Sequence, residues 1–223
     1  MQVPASKPWR QGGFTLIEIA IVLVIIGLLV GGILQGQELI ETSRVRQATR
    51  EVSSISAAIF AYEDRYGATP GDDGPAATVN GRGATWAAVA AGDADGNLEV
   101  TLANTFNGTT ESGAFWQHLR ASGFISGDPN DAGAAASPDN AWGGRTGVTT
   151  DLMGGGLAGT KVCLSQVPGA SSIAMDTELD DGDGATGRFR ATLGVAGTDT
   201  VPTNTALAAA YSEDNEYTVC YRI

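Results

Sequence analysis

Histidine occurs once in these 223 residues and cysteine twice. One imidazole cannot build a multi-histidine metal centre and makes triad chemistry improbable; two thiols are too few for a four-cysteine zinc site or a disulfide scaffold. Cations are also scarce, with 13 lysines and arginines against 25 acids and a formal charge of −12. A phosphate-binding face is not expected from that balance, so no direct nucleic-acid binding is predicted. The 31 glycines follow no triplet period, which excludes collagen. G-x-S-x-G, H-E-x-x-H and phosphate-cradling glycine loops are missing as well, so the sequence predicts no enzyme and requires no cofactor.

What is present is strongly polarised along the chain. Residues 1 to 13, MQVPASKPWRQGG, carry Lys7 and Arg10 and no acid. The run from Phe14 to Leu34 follows, with Thr15 and Glu18 as its only polar side chains. As a helix it spans about 30 Å, the thickness of a bilayer core. It exceeds the 7 to 15 apolar residues of a cleaved secretory signal, and the basic leader keeps the amino end in the cytoplasm. Glu18 is the anomaly. A carboxylate at mid-membrane costs about 2.5 to 3.5 kcal/mol on insertion scales, less towards an interface, and marks function. With no partner expected inside the span, it has to find one on another chain or on an amino group made by processing.

Gly13, Phe14 and Glu18 in GGFTLIE, after a short basic leader and ahead of about 20 apolar residues, resemble the prepilin signature of type IV pilins and pseudopilins. The resemblance implies that a prepilin peptidase cuts between Gly13 and Phe14 and N-methylates Phe14. It implies that Glu18 pairs with the Phe14 ammonium of a neighbouring subunit as the chain leaves the bilayer for a filament. The implied partners are that peptidase, copies of the chain and other pilins, an inner-membrane assembly platform, and membrane lipid before assembly. The implied locations are the inner membrane as a single-pass protein, then an extracellular pilus or a periplasmic pseudopilus. Many members carry proline where this chain has Gln35, and Gly36 with the glycine pair before it is expected to supply that flexibility instead.

Four segments are expected: a cleaved leader 1–13, a transmembrane and filament-core helix 14–34, its amphipathic continuation 35–66, and an extracytoplasmic head 67–223. In the continuation Val45, Ala48, Val52, Ile55, Ile59, Tyr62 and Tyr66 alternate at spacings of three and four, an apolar seam for the head or for a coiled coil. Arg44, Arg46, Arg50, Glu51, Glu63 and Asp64 form the solvated face, and Gly67 and Pro70 end the helix. The head holds 19 acids against 7 bases. ESGAFWQHLRASGF reads as a short helix, with His118 at its surface or in helix packing. KVCLSQV, RFRATLGV and EYTVCYRI read as antiparallel strands, and the helix between the first two is expected to be capped by Ser171 or Ser172. The predicted class is therefore α+β and pilin-like, a long helix packed on a head with a small antiparallel sheet.

Cys163 and Cys220 lie in predicted strands of an extracytoplasmic domain and form one disulfide, two buried thiols being the other reading. In pilins a similar bond bounds a variable surface region, which the resemblance maps onto residues 163 to 220. Asp93, Asp95, Asn97 and Glu99 alternate in GDADGNLE, as the first ligands of a structural calcium loop do, yet the pattern lacks its closing glutamate; a solvated turn is the competing reading. Asp180, Asp181 and Asp183 form a weaker cluster of the same kind, whereas Asp72 and Asp73 read as turn formers. The function expected is a structural subunit of a type IV pilus, with a pseudopilin or minor pilin of a type II secretion or DNA-uptake machine as the alternative.

Overall fold

A computed structural model describes residues 15–207 and 210–223. Helix α1 runs unbroken from Leu16 to Tyr66, through Gln35, and Gly67 ends it in the left-handed region at φ 69°. The chain divides into two compact units, 1–41 and 42–223. In the first unit every leucine, isoleucine and valine from Leu16 to Leu34 is 48% or more exposed. A helix this apolar and this uncovered is long enough to cross a membrane.

In the second unit the seam of α1 is buried as its spacing predicts: Val45, Ala48, Val52, Ile55, Ile59 and Tyr62 join the main core, and Tyr66 packs at its margin. Thr49 and Ala58 are buried beside them and widen the stripe. The segment after α1 is mostly loop, with helix α2 (Ala76–Asn80), helix α3 (Glu111–Ala121) and three single turns of 3₁₀ helix. Helix α3 is covered on all sides, residues 112 to 120 all being buried.

Strands β1 (Thr146–Thr149), β2 (Lys161–Pro168), β3 (Phe189–Leu193) and β4 (Glu216–Arg222) form one antiparallel sheet in the order β1-β2-β4-β3. Helix α4 (Gly169–Leu179) follows β2, and the serine-cap expectation fails: Pro168 is its N-cap residue, while Ser171 and Ser172 lie buried inside the helix. Side chains alternate along β4, and both faces are covered. Tyr217 and Val219 enter the main core. Cys220 and Cys163 face a second, smaller core with Phe106, Met153 and Leu157. These cysteines stand opposite one another in the β2–β4 register and are disulfide-bonded, so the free-thiol reading is excluded. Strand β1, a four-residue TGVT, is too short to show a period in the sequence.

Candidate functional site

The amino-terminal end of α1 carries Glu18, the candidate residue that the sequence singles out. Glu18 is exposed, and its Oε2 accepts from the Thr15 backbone N–H at 2.8 Å and from Thr15 Oγ1 at 2.7 Å; the Glu18 N–H donates to Thr15 Oγ1 at 3.3 Å. This is the reciprocal capping box that T-x-x-E spells. It corrects the expectation that no partner lies within the span, a reading that sought opposite charge and overlooked the helix end's own donors. Gly13 and Phe14 lie outside the described residues.

At the other end, α1 is fastened to the head by a buried polar hub built on the turn PGDDG. Tyr62 donates its hydroxyl to Asp73 Oδ2 at 2.5 Å, and Arg82 clamps the same carboxylate at 2.6 and 3.1 Å. The guanidinium also lies over the rings of Tyr66 and Trp86. Burial alone would push Asp73 up, but its bonds from Arg82 and Tyr62 outweigh that and hold the carboxyl below its usual range. Asp72 accepts from the N–H groups of Asp95 and Gly96 at 3.1 and 3.0 Å. Both aspartates are 3% exposed, so they bridge distant segments rather than serve as simple turn formers. Glycine is required at position 71: φ is +99° and a Cβ would stand 2.5 Å from the Leu98 Cδ1.

His118 belongs to this hub and not to the surface. It is fully buried, its Nδ1 accepts from the Gly71 N–H at 2.9 Å, and its Nε2 lies 2.7 Å from the Ala90 carbonyl. A carbonyl only accepts, so the ring is neutral with its proton on Nε2. Burial lowers its pKa to about 4. The only histidine is thus committed to packing.

The acidic loop is regrouped by the fold. Asp95 Oδ1 accepts from the Asn97 N–H in a local turn. The Glu99 N–H donates to Glu111 Oε2 at 2.6 Å. The carboxylates that gather within 4.8 Å of one another are Asp72, Asp93 and Glu111, so of the four sequence-predicted ligands only Asp93 takes part. Burial raises Asp72 and Glu111, and the mutual repulsion of the acids adds to it. Asp72 and Glu111 each lie about 20 residues from Asp93 in the chain, on opposite sides of it, which no local spacing reveals. Asp180 and Asp181 similarly gather with buried Asp176 and not with Asp183.

Residues 10–34, which run into the apolar stretch of α1, match the prokaryotic N-terminal methylation motif. The chain bears a type IV pilin-type amino terminus. Over 99 residues, 43% of its length, this pilin-like chain is 34% identical to the fimbrial protein EcpC of Eikenella corrodens. The match covers 65% of that relative, just under two thirds.

Proposed function

We propose that this chain is a structural subunit of a type IV pilus, cut by a prepilin peptidase between Gly13 and Phe14, methylated on Phe14 and polymerised through α1. The observation that carries the reading is a methylation motif whose uncovered helix is apolar except for one carboxylate, Glu18. In lipid, Thr15 satisfies part of that carboxylate's hydrogen-bonding capacity but none of its charge. The Phe14 ammonium of a neighbour supplies the charge, so docking in register removes a cost that the membrane imposes. Burial of the apolar helix among its copies then replaces lipid contact.

The peptidase, an inner-membrane platform and other pilins are the partners of this cycle, which runs from a membrane-anchored precursor to an extracellular filament and requires no cofactor. The fimbrial relative favours a pilus over the pseudopilus alternative. The role is structural, in keeping with a lone histidine held inside the core.

The test follows Glu18→Val in cells that make the peptidase. The variant should be cut and methylated at Phe14, as mass spectrometry of its amino-terminal peptide reads directly, yet be absent from sheared surface filaments. Normal incorporation of Glu18→Val overturns the role of Glu18, and a mature chain that does not start at Phe14 overturns the processing.

A further inference from the structure

The outward side of α1 in the 42–223 unit carries a knob and, on its other flank, a hole. Phe60 is 58% exposed, an aromatic ring presented to solvent on a helix whose seam residues from Val45 to Tyr62 are buried. A groove of about 300 Å³ opens along the same helix beside Ser54 and Ile55, walled by Trp116, Phe124, Ile125 and Pro138. A cavity of roughly 150 Å³ accepts a benzene-sized ring. At 3.6 residues per turn, Phe60 projects roughly 120° away from Ser54, so a ring cannot fill the groove of its own chain by turning a side-chain torsion.

We propose that this pair forms a head-to-tail contact between copies of the chain, with Phe60 of one copy seated in the groove of the next. The inference rests on the filament reading and says which surface of the head-bearing helix takes part. Knob and hole on different flanks make a heterologous contact, which repeats without limit instead of closing a two-fold dimer. Copies anchored in one membrane share a direction, so placing a neighbour's residue 60 beside residues 54 and 55 staggers the helices by about 8 Å.

Charge favours a second copy as the occupant. Arg46 and Arg50 are exposed on this face and make no ion pair or hydrogen bond among the described residues. The incoming head carries 19 acids against 7 bases. Among those bases Arg82 is bound to Asp73, Arg145 lies near Asp139 and Asp199, and Lys161 is buried. Packed heads would repel one another, and two free arginines beside the contact offset that repulsion. Lipid headgroups are a poorer occupant: Arg46 lies 12 residues past Leu34, about 18 Å along a helix and beyond the headgroup layer.

The test uses the full chain assembled into filaments. With Phe60→Cys and Ser126→Cys in one chain, Ser126 lining the groove beside Ile125, mild oxidation should give a ladder of dimers, trimers and longer species, whereas either variant alone should give none. Phe60→Ala should keep the melting midpoint of the purified protein and lower filament yield roughly tenfold, the loss expected of a buried aromatic anchor, with Phe60→Leu recovering much of it. Filaments without a ladder, dimers from Phe60→Cys alone, or an unchanged yield for Phe60→Ala would overturn the contact and leave the filament reading standing. A wild-type chain that forms no filament would overturn both.

Discussion

His118 shows how a choice that its own helix leaves open, surface or packing, is decided by what packs against it. Its Nδ1 can take a proton only by giving up the Gly71 N–H, and the buried ring has no solvent to stabilise the cation. With a folded pKa of about 4 against an ordinary value of 6.5, the unfolded chain binds more protons across that interval. Stability is therefore complete above pH 6.5, falls as pH drops towards 4, and loses about 3 kcal/mol from this group. As the sequence has one histidine, its ring signal in an NMR titration of the detergent-solubilised chain needs no assignment, and a midpoint near 6.5 would refute the account. Asp176 works in the opposite direction. Burial raises it to about 6, so the folded state binds the extra proton and gains stability as pH falls from 6 towards 4. Asp176→Asn should accordingly raise the melting midpoint at pH 8 and have little effect at pH 4; equal effects at both would show that its charge is immaterial. Glu18 was legible because a carboxylate stands out in an apolar run, whereas the surroundings of His118 and Asp176 come from residues distant in sequence.

At the scale of elements, α1 depends on being fastened at its carboxy-terminal end. The 3.6-residue seam from Val45 to Tyr62 was readable in advance because helix periodicity is a local property. The hub that anchors it was not, since nothing in PGDDG says that one aspartate will meet Tyr62 and Arg82 while the next one back holds the Asp95 and Gly96 amides. For the same reason the alternating acids of GDADGNLE suggested one ligand ring, while the fold sends Asp93 towards Asp72 and Glu111. Asp73→Ala would leave a partly buried guanidinium and a buried hydroxyl without their shared acceptor. It should cost about 3 to 5 kcal/mol in chemical denaturation of the folded head, the range for breaking a buried pair from one side. Tyr62→Phe, which keeps the ring and the Asp73–Arg82 pair, should cost about 1 kcal/mol. A loss for Asp73→Ala no larger than that for Tyr62→Phe would mean that the Asp73–Arg82 pair adds little beyond the bond from the Tyr62 hydroxyl.

For the molecule as a whole, the composition averages two different kinds of chain: an uncovered apolar helix long enough to cross a membrane, and an acidic folded head. Removal of Lys7 and Arg10 with the leader would deepen the charge from −12 to −14, nearly all of it carried by the head. The sheet has to hold that head together against its own repulsion, and it does so with two cores. The smaller core, with Phe106, Met153 and Leu157 around the cystine, has few apolar residues to hold it. The bond between Cys163 and Cys220 therefore carries more of the stability on that face. Closing a loop across a sequence separation of 57 stabilises the folded state by about 4 kcal/mol in the chain-entropy model. Replacing both cysteines by alanine should lower the stability of the head by about 2 to 4 kcal/mol. Because the anchor lies outside the closed loop, the variant should still insert in the membrane and be processed, while becoming protease-sensitive between residues 163 and 220. A variant as protease-resistant as the parent would show that the two cores hold the sheet unaided, and that the cystine adds little to the head that the apolar helix carries.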